Sequence, residues 1–404
     1  MTETALGLPA LGTGRLFASA GPDLAAHEAA YGPRRTGWTR EALLAELEAS
    51  GLAGRGGAGF PAWRKLSSLG ARRAVVVANG AEGEPLSRKD AALLTGAPHL
   101  VLDGLLTAAE ALNASQLFVY APAASLAGVA AALAERRDGR RISLVESPGT
   151  FVSGEASAVV SALETGLALP RDSAARLTTA GYRGLPTLVH NVETLAQLAL
   201  VARYGADWFR TAGTDDDPGT RLVSVSGDVP TPRVAEVPGG TSLRDILLGA
   251  GADPGSLAAV LVGGFHGAWV PAKALDRRAS AAGLADYGAR PGAGVLLALA
   301  AGRCGLAAAA PIARYLADGS ARQCGPCTFG LPAMAAVLER IAGGERSPWL
   351  AAEAERLAGL ITGRGACHHP DATAGFVRST LTVFRQEVRA HLNGDCTGTR
   401  GWQP

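Results

Sequence analysis

Net charge is almost absent: 38 Lys and Arg stand against 36 Asp and Glu, leaving +2 over 404 residues. So neutral a chain carries neither a nucleic-acid footprint nor a polybasic membrane patch. A long apolar run is missing too, since the longest stretch, near residues 295–313, is broken by Arg303. Residues 1–16 lack the basic start and apolar core of a secretory signal, so the expectation is a cytoplasmic protein without direct membrane insertion. Cysteine is sparse, five in all, and an odd number in a long chain argues against a disulfide framework. The five gather towards the C-terminus, which points instead to metal binding.

What the chain does have is 48% apolar residues, 53 glycines and 404 positions, the profile of a soluble globular protein of two or three domains. Glycine is most concentrated in Gly54-Arg55-Gly56-Gly57-Ala58-Gly59, followed by Phe60, Pro61, Ala62, Trp63, Arg64 and Lys65. Without Cβ atoms, backbone N–H groups there can crowd a ligand at little conformational cost. The aromatic ring and the two cations beside them suit a planar base and a phosphate.

Gly54, Gly56 and Gly59 satisfy G-x-G-x-x-G, but an ordinary dinucleotide site needs a strand in front of it. Here a helix opens at Thr39-Arg40-Glu41-Ala42, with Leu43, Leu44 and Leu47 on one face and Gly51 near its end. Residues 73–79 then read as a buried strand ending at Asn79, followed by Gly80-Ala81-Glu82-Gly83-Glu84-Pro85. The expected ribose-binding acid falls on Asn79, so a standard Rossmann site is disfavoured.

Further α/β units are predicted: helices near 98–111 and 126–137, strands near 117–120 and 142–146. Gly149-Thr150-Phe151-Val152-Ser153-Gly154-Glu155-Ala156 opens another helix, and helix N-termini attract phosphates. Residues 181–194, containing Val189, His190, Asn191 and Thr194, lead into a helix ending near Tyr204. From 220 the texture changes to short strands around one helix at 242–248.

Together the glycine loop and the segments at Phe151 and Val189 resemble the NADH-binding FMN/iron–sulfur flavoprotein subunit of respiratory complex I. The resemblance includes its relatives in NAD-linked hydrogenases and formate dehydrogenases and spans residues 43–392. It implies an α/β fold: an N-terminal arm at 1–38, a Rossmann-like FMN and NAD(P)H domain at 39–219, a β-grasp (SLBB-like) domain at 220–300, and a helical-bundle iron–sulfur domain at 301–396. His266 and Trp269, in the third of these, are candidates to face the flavin domain.

By the same resemblance, Gly54, Arg55, Gly56, Gly57, Ala58 and Gly59 line the FMN and nucleotide site. Phe60 stacks on the nucleotide and Lys65 meets phosphate. Asn79 lies on the flavin, with Glu82 and Glu84 near the nicotinamide as the catalytic candidates. Phe151, Gly154, Glu155, Val189, His190, Asn191 and Thr194 contact flavin. The family commonly has Asp at 81, a second Glu at 156 and Asn at 190, where this chain has Ala81, Ala156 and His190. A Glu near the adenosine ribose repels a 2′-phosphate, so Ala156 admits NADPH as well as NADH.

Cys324-Gly325-Pro326-Cys327 is a C-x-x-C that alone fits a redox pair, a zinc half-site or an iron–sulfur site. The family holds a [4Fe–4S] cluster by C-x-x-C-x-x-C and a distant cysteine. The carry-over gives Cys324, Cys327 and Cys367 and leaves the fourth ligand open among His368, His369, Cys304 or an external group, the third cysteine being missing after Cys327. Cys396 follows an expected helix over 371–392 that would carry it some 33 Å away at about 1.5 Å per residue.

The functional expectation is an NAD(P)H dehydrogenase of diaphorase type. Hydride passes to FMN, and single electrons leave through the cluster to a ferredoxin or another electron-transfer protein, in either direction. The chain stops soon after the helical domain, which makes an external partner, or membership of a larger redox complex, the expectation. The alternative is a non-catalytic scaffold or relay subunit, favoured by Ala81, Ala156 and the missing cysteine.

Overall fold

The computed structural model describes residues 14–70, 73–171, 176–396 and 398–399. The first thirteen residues of the expected arm lie outside that range. The rest of it includes helix α1 (Leu24–Tyr31), started by the Asp23 carboxylate accepting the Ala26 N–H at 2.9 Å. Helix α2 (Arg40–Ser50) begins where Thr39 Oγ1 accepts the Ala42 N–H and ends at Gly51 in the left-handed region, φ 69°. Leu43 and Leu47, one turn apart, are its buried stripe. The glycine turn follows, then α3 (Ala62–Ser67).

Next come β1 (Val75–Asn79), α4 (Lys89–Gly96), α5 (Pro98–Ala111), β2 (Gln116–Ala121), α6 (Ala123–Ala134), β3 (Ile142–Glu146), α7 (Ala156–Thr165), β4 (Thr187–Asn191), α8 (Val192–Tyr204) and α9 (Ala206–Arg210). Helix α4 has no counterpart in the sequence-based expectation, and its start, Lys89-Asp90, is buried. The four strands are all parallel, in the order β3-β2-β1-β4. Their period-2 alternation feeds two cores. Val76 and Ala78 join the cluster containing Leu105 and Leu195, while Val75 and Val77 pack with Val159 and Val160.

The order reverses between β1 and β4, although the helices that follow them, α5 and α8, share one core. Parallel sheets bind ligands beyond the C-terminal edge at such a reversal, and the crevice between β1 and β4 is that place here. Asn79 and Asn191 sit opposite each other at that edge. Helices α5 and α8 approach closely enough that a Cβ on Gly104 would stand 1.9 Å from the Leu195 carbonyl oxygen. A short ladder, β5 (Gly213–Thr214) with β6 (Asp217–Pro218), closes this part of the chain.

The chain divides into two units: residues up to Val223 with Val234–Gly240, and Ser224–Arg233 with Thr241 onwards. Strands β7 (Thr220–Gly227) and β8 (Arg233–Pro238) carry the chain across the division. In the second unit, α10 (Leu243–Gly249) precedes β9 (Leu257–Val262), β10 (Ala268–Pro271) and β11 (Val295–Ala300). Ser224–Gly227 pairs parallel with β11, which pairs antiparallel with β9, as β9 does with β10. Five helices follow: α11 (Gly305–Asp318), α12 (Leu331–Ala342), α13 (Leu350–Ile361), α14 (His369–Val383) and α15 (Arg385–Leu392).

Two expectations are corrected here. The continuous helix over 371–392 is instead α14 and α15, broken at Phe384, and the chain then returns so that the Thr399 N–H reaches the Gly302 carbonyl at 2.8 Å. His266 and Trp269 turn to the C-terminal helices of their own unit: His266 meets His369, and the fully buried Trp269 packs edge-on to Phe384. No single described helix is long and apolar enough to cross a membrane.

Candidate functional site

At the crevice between β1 and β4 the structure joins residues far apart in sequence. Asn79 donates through Nδ2 to the Gly154 carbonyl at 2.9 Å and accepts the Ala81 N–H at 3.1 Å. Two loops are thereby locked together, and glycine is needed where they touch. A Cβ on Gly83 would stand 2.0 Å from the Phe151 carbonyl oxygen, and one on Gly154 would stand 2.8 Å from that of Ala81.

The glycine turn is anchored from the other side. The Arg55 N–H donates to Thr194 Oγ1 at 2.9 Å, and a Cβ on Gly56 would meet that of Asn191 at 3.1 Å. The Arg55 guanidinium points inward, almost wholly buried, donating to the Pro218 and Thr220 carbonyls at 3.3 and 3.1 Å and lying 3.5 Å from Asp217. Burial is the main cause of its pKa falling to about 10. Arg55 thus fastens the turn to the chain at 217–220.

What remains outward is backbone. The amides of Gly56, Gly57, Ala58 and Gly59 meet no protein acceptor among the described residues. Gly57 and Gly59 take φ of 109° and 64°, and a Cβ on either would find open space. Such a run of unpaired N–H groups is an anion-binding nest. Phe60 beside it is 51% exposed, a large ring left in solvent.

Lys65 adds a half-buried cation. Its ammonium donates to the Val189 carbonyl at 2.5 Å and forms no ion pair among the described residues. Burial lowers its pKa, with Glu155 pulling the other way. His190, one residue along β4, is buried with Nε2 unpartnered. Burial, helped by the charge on Lys65, pushes its pKa down to about 3, so the ring is neutral. A cation outside any ion pair, four unpaired amides and an orphaned imidazole nitrogen fit a phosphate-bearing, polar-edged cofactor.

The carboxylates have structural duties. Glu82 accepts from Ser87 Oγ at 2.6 Å and from the first-turn amides of α4, Asp90 at 3.0 Å and Ala91 at 2.9 Å. Glu155 likewise caps α7 through the Ser157 and Ala158 amides at 2.8 and 2.9 Å. Glu84 accepts the Leu86 N–H at 3.4 Å. Phe151 and Gly154 bound a single 3-10 turn ahead of α7.

Sequence reasoning missed the charged cluster under this edge. Lys89 Nζ lies 2.6 Å from Asp90, 3.0 Å from Glu193 and 3.2 Å from Asn191 Oδ1, while Asn191 Nδ2 donates to Asp90 at 2.6 Å. Lys89, Asp90 and Glu193 are all under 5% exposed. The only signal was a Lys-Asp pair opening an apolar helix, which a surface helix shows equally well.

In the second unit the cysteines form two groups. The Cys327 thiol is pushed up to about 12 by burial and by its neighbours Cys324 and Cys367. Against burial, the Ala366 and Cys327 amides and the Cys327 thiol hold Cys324 below its ordinary value. Cys324, Cys327 and Cys367 therefore share one locality, a donor set suited to iron–sulfur ligation. The position three residues after Cys327, Gly330, has no room for a further thiol, because a Cβ there would stand 2.3 Å from Ile361 Cγ2.

Of the substitutes considered, His369 has both ring nitrogens engaged, Nδ1 with His266 and Nε2 with the Leu316 carbonyl, each at 2.8 Å. Cys304 and Cys396 lie instead with His391. His368 is exposed beside Cys367.

Residues 47–200 match the model of the Nuo51 FMN-binding domain, and residues 307–391 that of the NADH-ubiquinone oxidoreductase-F iron-sulfur binding region. Fold and site thus define an NADH-dependent oxidoreductase of the FMN and iron–sulfur class. The NADH-quinone oxidoreductase F subunit of Streptomyces coelicolor is 30% identical over 373 residues, 87% of this chain and 83% of that one. An F subunit of the same enzyme in Rhizobium meliloti, the one numbered 2, is 29% identical over 377 residues, 88% and 90% of the two chains. An NAD+-reducing [NiFe]-hydrogenase in the air-oxidized state superposes with a TM-score of 0.78 at 32% identity over 87% of this chain. The chain spans 63% of that hydrogenase chain. This chain belongs to the F-subunit family of NADH-quinone oxidoreductases.

Proposed function

We propose that the chain takes hydride from NADH, or from NADPH, at an FMN site in the β1–β4 crevice and delivers single electrons through the cysteine set to a protein acceptor such as a ferredoxin. The observation that carries this reading is the half-buried Lys65 ammonium, which forms no ion pair among the described residues, near four unpaired amides; together they suit a phosphate. When bound, FMN supplies a two-electron acceptor that can release electrons singly, and the cluster supplies a one-electron relay.

The chain's own part is to hold and orient. Gly56–Gly59 and Lys65 hold phosphate, and neutral His190 offers Nε2 to a polar cofactor edge. Asn79 and Asn191 fix the two strand ends. Phe60 gives the nicotinamide nucleotide a ring to stack on, and Glu84 stands as the acid nearest the nicotinamide. Glu82 acts through α4, which it caps, as a positioning residue. Cys324, Cys327 and Cys367 hold a [4Fe–4S] cluster whose fourth ligand is His368 or external. The mixed sheet with α10 is read as the β-grasp module and as the docking surface within a larger redox complex. Reduced acceptor can drive the sequence backwards.

Anaerobic titration of the purified protein with NADH and NADPH, followed optically and by EPR, tests the reading. Flavin absorbance bleaches with NADH, and Cys367→Ser loses the EPR signal while the bleaching persists. Bound flavin that neither nucleotide bleaches overturns dehydrogenase function. That outcome returns the scaffold reading, which Ala81, Ala156 and the missing cysteine favour. The ratio of NADPH to NADH rates tests the role of Ala156, and a strong NADH preference removes NADPH from the proposal.

A further inference from the structure

Cys304, His391 and Cys396 each place one ligand atom within 4.8 Å of the other two, the sole such group of three among the described residues. Cys304 Sγ is 3.4 Å from His391 Nε2. Around a tetrahedral zinc ion, with Zn–S of about 2.3 Å and Zn–N of about 2.0 Å, a sulfur and a nitrogen stand about 3.5 Å apart. The pair already has the separation that one shared ion would impose.

The histidine is set for ligation. His391 is fully buried, and its Nδ1 lies 3.0 Å from the Ile341 carbonyl oxygen. A carbonyl only accepts, so Nδ1 carries the proton and Nε2 turns its lone pair towards Cys304. A backbone carbonyl fixing the far nitrogen is how metal-bound imidazoles are generally oriented. Cys304 is held as firmly: it is 2% exposed, precedes α11 and accepts the Ala307 N–H at 3.4 Å.

Cys396 arrives by the path that the sequence did not foresee. The break at Phe384 and the turn after α15 bring the last described residues back along 302–304. There the Cys304 N–H donates to the Thr399 carbonyl at 3.2 Å, and Cys396 Sγ donates to the Gly398 carbonyl at 3.2 Å. Two ligands are buried and preset, and the third is half-exposed, which leaves an ion a route in from solvent.

We propose that Cys304, His391 and Cys396 form a mononuclear site for a thiophilic divalent cation of the zinc class, separate from Cys324, Cys327 and Cys367, that clips the C-terminal segment to the start of α11. Water completes the tetrahedron, and both thiols give up their protons to solvent on binding. No electron moves in this step, and the role proposed for the ion is to hold the C-terminal segment in place.

The test uses the full chain, purified anaerobically and loaded with zinc sulfate, with zinc and iron counted by mass spectrometry and the zinc environment read by X-ray absorption. One zinc per chain is expected, with two sulfurs near 2.3 Å and one nitrogen near 2.0 Å. Cys304→Ser and Cys396→Ser each lower zinc affinity by about tenfold or more and leave iron untouched, while Cys367→Ser lowers iron and keeps zinc. If Cys304→Ser fails to fold, alkylation of the wild-type chain decides: a chelator exposes Cys396 to reagent and added zinc protects it again. The proposal is overturned if zinc affinity is unchanged in Cys396→Ser, if zinc fails to slow alkylation, if the zinc shell holds only nitrogen and oxygen, or if anaerobically purified protein contains a Cys304–Cys396 disulfide.

Discussion

Replacing Lys89 by methionine removes the cation that stands between two carboxylates the fold has taken out of water. Lys89 Nζ stands 2.6 Å from Asp90 and 3.0 Å from Glu193. Met has nearly the same length, so the change leaves charge uncompensated rather than opening a cavity. Breaking a buried ion pair by removing one partner costs about 3–5 kcal/mol. The pH dependence makes the argument specific. Asp90 is pushed up to about 7, chiefly by burial and also by Glu82, with Lys89 pulling it down. Because the folded pKa lies above the unfolded one, this proton stabilises fully below the unfolded value, and its contribution is lost as pH rises through about 7. Without Lys89 the proton is held to higher pH, and each pH unit at which the variant holds a proton that the wild type has released costs it about 1.4 kcal/mol. Denaturant unfolding of both proteins at pH 6, 7 and 8, followed by tryptophan fluorescence, should show a deficit that widens by about 1–2 kcal/mol towards pH 8. A deficit that is constant with pH, or that narrows towards pH 8, would refute the reasoning.

Three further outcomes follow from close approaches and anchors. Gly83→Ala must separate the loops at 80–85 and 149–155, because its Cβ would lie 2.0 Å from the Phe151 carbonyl oxygen, and flavin content per chain should fall several-fold; Gly149→Ala, with nothing within 4 Å, should retain it. Thr194→Val strands the Arg55 N–H at a buried position. A loss of about 1–3 kcal/mol is expected by denaturant titration, with weakened flavin retention. Gly104→Ala puts a Cβ 1.9 Å from the Leu195 carbonyl oxygen, so α5 and α8 must part, and the melting temperature should drop with flavin chemistry intact in the folded fraction.

Much of the α/β framework could be read from the sequence because its signals are local. The Val-rich run before Asn79, the Pro98 start of α5 and the Thr39 and Gly51 ends of α2 declare themselves within a few residues. The structure also brings the singled-out motifs into contact, Asn79 with Gly154 and Arg55 with Thr194. What could not be read is which way a polar side chain faces. Arg55 in a glycine loop looks like a ligand-binding cation and is a buried anchor. Glu82 looks like an acid in a pocket and takes up helix amides. Lys89 and Asp90, which no sequence motif singled out, are buried. In each case the deciding partner is remote or backbone, as with Glu193 for Lys89 and Thr220 for Arg55. The cysteines show the same limit. One helix break at Phe384, invisible in the periodicity, turned Cys396 from a distant residue into a neighbour of Cys304.

The donors left facing the crevice at Gly56–Gly59 are main-chain N–H groups, and a peptide amide has no titration in the range where proteins work. A grip built from side-chain cations would slacken or tighten with acidity, and a single substitution could delete one of its fingers. In the proposed reading the amide part of this grip keeps its strength across pH, apart from the anion's own ionisation, and short of proline no substitution removes its donors; otherwise only a change in the shape of the turn can.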